Sequence, residues 1–187
     1  MTPLIKHFES IHPLPPELVL HLYSIIKRKE LPKKGLLVRA GQLLEHIYFI
    51  EQGLLRGYYK SGDSQISSWF AKSGDLCMPT ELFLPQPYSQ ESIQALESTV
   101  IYYIRYHDFQ QLYQKFPELY VHTRLILERC CLLGMQRIRA IVLQRAQERY
   151  AWLIESFPDL AQRVPGKYLA SYIGITHAMF SRLRHNR

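Results

Sequence analysis

The sequence lacks the features that would tie it to a membrane, an oxidising compartment or a metal. No run of about 18 apolar residues occurs, so no apolar membrane-spanning helix is expected. The opening MTPLIKHFESIHPLPPE mixes charges with prolines and has no apolar core of a secretion signal. A cytoplasmic location with no membrane partner is therefore expected. Cysteine is scarce: Cys77, Cys130 and Cys131 are the whole set. The count is odd, and the adjacent pair 130–131 cannot easily bridge itself, so a disulfide scaffold is not expected. No CxxC pair is present for zinc, and four thiols for an iron–sulfur cluster are lacking. All three cysteines are expected to be small buried hydrophobes. Eight histidines occur without HxH, HxxxH or HExxH spacing, so no metal site is expected through His46, His107 or Cys77. No serine–histidine–acid set and no glycine-rich phosphate loop appear, and no enzyme activity is expected. No Lys or Arg occurs from Ser73 to Ile104, although Asp75, Glu81, Glu91 and Glu97 do.

What is present is ordinary in amount and uneven in placement. The 187 residues are 47% hydrophobic and 21% charged, enough to bury a core in one large domain or two small ones. The net charge of +7 lies wholly in residues 122–187; residues 1–121 sum to zero. A charge excess confined to one third of a chain points to a polyanion met there.

Three regions follow from periodicity. Residues 1–30 read as helical, with Pro15-Pro16-Glu17 as a helix start and Leu18, Leu22, Ile25 and Ile26 at helical spacing. The run Lys27-Arg28-Lys29 then leads to Pro32, which ends that helix. From residue 33, glycines punctuate short β-rich runs: Leu36 to Val38, His46 to Ile50, Leu54 to Tyr59, Gln65 to Phe70 and Ser92 to Ile104. Gly62-Asp63 is a hairpin turn, and the spacing predicts a compact β-roll or barrel. Phe109 to Phe116 reads as a short helix. A longer one runs from Pro117 to about Leu143.

In that long helix Leu127, Cys131, Gly134, Ile138 and Ile141 form a 4-3-4-3 stripe, the spacing of a coiled-coil seam. Leu125, Ile126, Cys130, Leu132 and Leu133 add apolar surface on other sides. A helix apolar on several sides is buried on several sides, so one face is expected on its own β-domain and another on a partner helix. Gly134 lowers helix propensity by about 1 kcal/mol against Ala, and a close helix–helix approach would explain it.

Beyond it, Arg145 to Phe157 reads as a helix stopped before Pro158, and Pro165 opens another. In PGKYLASYIGITHAMFSRLR, Leu169, Ala170 and Ile173 share one face, and Ala170 sits where two helices would cross. Gly174 suits a left-handed helix end, Ile175 is a buried spacer, and Thr176 is an N-cap. Phe180 and Leu183 form the inward face of the next helix. This is the pattern of a helix-turn-helix. Its second helix would present His177, Ala178, Met179, Ser181 and Arg182 to a DNA groove. Arg182 is the foremost base contact, since arginine bonds guanine O6 and N7 together. Lys167, Thr176, Arg184 and His185 are phosphate candidates.

The LASYIGIT…SRLR run resembles the C-terminal motif of the CRP/FNR superfamily of transcriptional regulators, in particular its Bacteroidetes branch. The segments HIYFIEQGLLRGYY, ISSWFAKSGDL and IQALESTVIYYI are similar to that family's cyclic-nucleotide-binding-like domain. The resemblance spans nearly the whole chain. It implies an α+β fold: a jelly-roll-type β-roll sensor with flanking helices over 1–116, a dimerisation helix over 117–143, and a helix-turn-helix domain over 144–187. It also implies a homodimer on double-stranded DNA, with RNA polymerase as a further partner. Two departures stand out. Ala178 occupies the place where the family often carries a glutamate that reads cytosine, so contact with thymine methyls becomes more plausible. The sequence also ends soon after this helix, which leaves it little C-terminal support.

The family's nucleotide pocket pairs a glutamate for ribose with an arginine for phosphate. Glu81 falls in the glutamate region, but the arginine position falls at Ser89 or Gln90. A pocket there would repel phosphate unless Arg56 or Arg124 reached in, so no cAMP is expected and any effector is of another kind. Tyr58, Tyr59, Trp69, Phe70, Phe83 and Tyr88 are aromatic enough to line an uncharged pocket, or else form β-domain core. Two rival readings stand beside the regulator. One is a ligand-binding or interaction module with a degenerate helix-turn-helix. The other is a cupin-like metalloenzyme, which would need histidines clustered on the strands, where His46 stands alone.

Overall fold

The structure, a computed structural model, describes residues 2–85 and 88–186. It separates into two compact units: Met1–Gly57 with Phe70–Leu127, and Tyr58–Trp69 with Glu128–Arg187.

The first unit begins with α1 (Pro3–Ile11) and α2 (Pro16–Ile25). Eight strands follow: β1 (Lys27–Leu31), β2 (Leu36–Val38), β3 (His46–Gln52), β4 (Leu54–Ser61), β5 (Ser64–Lys72), β6 (Leu76–Cys77), β7 (Ser92–Ala95) and β8 (Thr99–Arg105). They form two four-stranded sheets, ordered β1-β8-β3-β6 and β2-β7-β4-β5. Apart from the β4–β5 hairpin, neighbours in each sheet are distant in sequence, the topology of a jelly-roll-like roll. The fold is thus mixed α+β, as expected. Ile50, Leu54, Leu55, Ile93 and Ile101 are completely buried and form its core.

Helix α3 (Tyr106–Lys115) and the start of α4 (Leu119–Leu143) complete this unit. They are fastened to α1 through aromatic and polar contacts. The Phe8 and Phe109 rings stack at 6.2 Å, and the His122 ring meets Phe8 edge-on at 5.5 Å. His122 is fully buried and spans two helices: Nδ1 lies 3.1 Å from the Glu118 carbonyl and Nε2 3.0 Å from the Phe8 carbonyl. Burial of these side chains, each worth about 1.5–3 kcal/mol, seats the long helix.

Two local expectations are corrected. Lys27-Arg28-Lys29 does not end a helix; it lies in β1, an edge strand paired to β8 from Lys27↔Tyr103 to Leu31↔Thr99. Only Leu31 of β1 is buried, so its charged residues cost nothing in water and protect an open sheet edge. Ser92 to Ile104 is not one strand but two, β7 and β8, in different sheets. The hairpin turn at Gly62-Asp63 is as expected, with Gly62 at φ +58 in the first central position that a II′ turn reserves for glycine.

The second unit contains the tip of the β4–β5 hairpin, the rest of α4, and α5 (Ala146–Ser156), α6 (Pro158–Arg163), α7 (Gly166–Tyr172) and α8 (His177–His185). Helix α6 was not expected. Pro158 does more than stop α5: it stands in the first turn of α6, where its missing N–H and fixed φ are harmless. Tyr150, Leu153, Leu160, Val164, Leu169, Ile173 and Phe180 form the core. The cysteines are corrected in part: Cys77 is buried, but Cys130 and Cys131 lie exposed on α4.

His46 gives the roll a pH dependence. Its pKa is held below the ordinary value, first by burial and then by Arg105, Lys27 and Lys29, against an opposing pull from Glu45. In the folded state it stays neutral where the unfolded chain takes up a proton. Its contribution is therefore present above about pH 6.5 and is lost as pH falls from there through the folded value. Chemical denaturation of the wild type at about pH 7.5 and about pH 5 is expected to show a drop in stability that is smaller in His46→Gln. An equal drop in both proteins would remove His46 as its source.

Candidate nucleic-acid interface

Helix α8 is set by its two ends and one buried ring. Gly174 takes φ +67 at the end of α7, and the Thr176 hydroxyl caps α8 by accepting from the Met179 N–H at 3.2 Å. Phe180 is buried, with its ring edge-on to Tyr150 at 5.2 Å. A Cβ on Gly166 would come within 3.3 Å of that ring, so the start of α7 needs glycine to approach α8 so closely. Leu169, Ala170 and Ile173 are buried together, as their shared face requires. Leu183 and Ile175 are only half-buried, so the spacer at Ile175 is less enclosed than expected.

With Phe180 inward, a rotation of about 100° per residue turns Ala178, Arg182 and His185 to the far side and sets Ser181 at its edge. All except half-buried Ser181 are exposed. His177 and Met179 flank that face and are exposed too, as are Arg184 and Lys167. The Lys167 ammonium lies 5.0 Å from the Tyr168 ring centre, and His185 Nδ1 lies 2.8 Å from the Ser181 carbonyl. The nine residues expected at a DNA surface are thus gathered on α8, its cap and the start of α7. No acidic side chain lies in α8 or α7.

Two arginines that the sequence did not single out brace this region. Arg149 Nη1 donates to the carbonyls of Ile173 at 3.0 Å and Gly174 at 3.2 Å, tying the turn to α5. Arg137, half-buried on α4, donates from Nε to the Tyr172 carbonyl at 2.9 Å. Burial presses its pKa below the ordinary value, but a guanidinium stays charged. Neither contact has a local signal, because the partners are 24 to 35 residues away.

The seam residues of α4 lie open. Leu127 is half-buried, and Cys131, Gly134, Ile138 and Ile141 are exposed. Around them Leu132 is 64%, Val142 71% and Leu143 73% exposed. Nothing lies within 4 Å of a Cβ placed on Gly134.

The residues named for a ligand pocket are only partly assembled. In the first unit the Glu81 carboxylate accepts from the Gln90 N–H at 3.4 Å. Ser89 is buried and its hydroxyl donates to the Glu91 carbonyl at 2.7 Å, while Glu91 itself is buried. Phe83 and Tyr88 are largely exposed. Tyr58, buried, and Trp69, half-buried, belong to the second unit. Arg56 is completely buried on β4 and already engaged, and Arg124 is exposed on α4. His46 packs on Tyr103, ring to ring at 5.1 Å, and His107 Nε2 meets the Gln111 amide at 3.0 Å. Among the described residues no helix is long and apolar enough to cross a membrane.

Comparison with known proteins accords with this architecture. Residues 28–116 match the family described as Cyclic nucleotide-binding domain. No curated protein sequence matches the chain. Among solved structures, it is similar to the c-di-GMP responsive global regulator CLP of Xanthomonas campestris, at 15% identity and TM-score 0.76, over 92% of this chain and 91% of that one. A protein described as a transcriptional regulator of the CRP/FNR family from Eubacterium rectale gives 13% identity and TM-score 0.76, over 97% and 87%. A CooA variant from Carboxydothermus hydrogenoformans gives 19% and 0.71, over 91% and 78%. Residues 28–116 are thus similar to the cyclic nucleotide-binding domain family, and the chain as a whole shares its fold with these solved CRP/FNR-type regulators.

Proposed function

We propose that this protein is a sequence-specific DNA-binding transcription regulator that works as a homodimer and is not controlled by cAMP. The observation that carries the reading is the outer face of α8. Ala178, Arg182 and His185 stand opposite buried Phe180, with Ser181 at the edge of that face, on a capped helix with no acidic residue, in the part of the chain that holds the entire net charge. A helix of this kind enters the major groove, where arginine reads guanine and nearby cations hold phosphates. The similarity to solved regulators supports the same role.

The open stripe on α4 supports the dimer. Ile138 and Ile141 of the seam are large apolar side chains left to solvent in one chain, and Gly134 is free of any neighbour that would explain it. A second α4 along this seam covers them and brings two backbones together at Gly134. The two recognition helices then address successive major grooves, about 34 Å apart. An effector acts by binding one arrangement of the pair better than the other.

Selection of random DNA fragments by the purified protein is expected to enrich an inverted repeat that Arg182→Ala loses. The logarithm of affinity should fall with that of salt by about 0.9 per phosphate contact. A folded protein that enriches no motif would overturn the reading.

Gly134→Leu improves helix propensity, yet is expected to raise the dimer dissociation constant at least about tenfold in sedimentation equilibrium, because the added side chain parts the two backbones. An unchanged dimer would place the contact elsewhere.

The resemblance puts the arginine position of the nucleotide pocket at Ser89 or Gln90, neither a cation, so titration calorimetry should show no heat of cAMP binding even at millimolar nucleotide. Saturable micromolar binding would refute that part.

A further inference from the structure

One side chain joins three segments of the second unit. Arg137 on α4 donates from Nε to the Tyr172 carbonyl of α7 at 2.9 Å, from Nη1 to the Ser68 carbonyl at 2.9 Å, and from Nη2 to the Ser67 carbonyl at 3.1 Å. Its guanidinium also lies 4.4 Å from the centre of the Tyr172 ring. Ser67, at the tip of the β4–β5 hairpin, is bonded onward to α7. Its N–H donates to Ser171 Oγ at 3.1 Å, its hydroxyl donates to the Tyr168 carbonyl at 2.9 Å, and the Ser67 and Ser171 hydroxyls are 2.9 Å apart. Ser67 is completely buried there.

We propose that Arg137 is a positioning residue that holds the helix-turn-helix against the tip of the β4–β5 hairpin, and that release of this hold is the step by which the DNA-reading helix is moved. The proposal rests on the DNA-binding reading given above. Four observations carry it.

The guanidinium's planar fork fills carbonyls on two segments about a hundred positions apart in the chain, a geometry a lysine cannot reproduce. Its acceptors are neutral: among the described residues Arg137 has no carboxylate partner. Since the side chain is only half-buried, water can take over from the carbonyls when the hairpin leaves, so the hold is reversible. The hairpin strands continue through Gly57 and Phe70 into the first unit, so a shift of β4 or β5 reaches Ser67 and Ser68 through the chain itself. Finally, the hold is made to α7 and leaves the outer face of α8 exposed. It therefore governs where the reading helix stands, not whether it is covered.

Hydrogen exchange on the full chain, read by mass spectrometry, tests the hold directly. Peptides covering residues 58–69 are expected to exchange at least about tenfold faster in Arg137→Ala and in Ser171→Ala, and Arg137→Lys should not restore protection. Affinity for the selected DNA site should change by about fivefold or more, in the same direction, in both alanine variants. The double variant should not exceed the larger single effect, since both break one contact. Ser171→Ala removes a single hydroxyl, so the test survives if Arg137→Ala fails to fold. Wild-type protection in the hairpin of Ser171→Ala would overturn the proposal, and so would lost protection with DNA affinity unchanged. Should the wild type bind no DNA, the DNA-binding reading falls and the positioning role with it. The exchange data need no DNA and show separately whether the hold exists.

Discussion

Phe180 fixes the rest of the α8 surface that we propose faces DNA. A nine-residue helix has too few hydrogen bonds to be stable alone, so its orientation must come from tertiary packing. Phe180 provides that packing against Tyr150, and the absence of a side chain at Gly166 lets α7 close on the same ring. Once this one direction is set, helical geometry assigns every other residue of α8 to a side. The turn before it is then held from outside by Arg149, which reaches both carbonyls of Ile173 and Gly174.

Charge and stability act together at this end of the chain. Arg182, Arg184 and His185 occupy the last turn of α8, where the carbonyl ends of the helix favour cations. The cations proposed to meet phosphates therefore also steady the helix that carries them. The β-roll shows the opposite balance, with Glu91 buried and cations few in the stretch where a nucleotide phosphate would sit. The whole charge excess thus lies in residues 122–187 and none of it in residues 1–121.

Much of this was legible before any coordinates. The strands β2 to β5, the Gly62 turn, the long helix, the Gly174 bend, the Thr176 cap and the inward Phe180 all follow from local pattern. The misreadings share a cause: pattern does not reveal what lies opposite. Lys27-Arg28-Lys29 looks like a helix end because nothing local marks it as a sheet edge. Ile175 and the α4 cysteines look buried because they are apolar, yet exposure depends on neighbours. Arg137 and Arg149 look like ordinary surface charges, since their carbonyl partners lie far away in sequence. The open seam on α4 was readable as a stripe, and the structure adds that its own chain leaves that stripe uncovered.

The second unit is discontinuous in sequence, because residues 58–69 reach it from within the β-roll. A fragment beginning at Glu128 would keep all the helices of the DNA-facing region and yet lack the carbonyls of Ser67 and Ser68. Its Arg137 would be left with Tyr172 alone, and the buried surface around Ser171 would be open to water. No single cut in the chain separates the two units, so an exchange of the second unit must carry the hairpin residues with it.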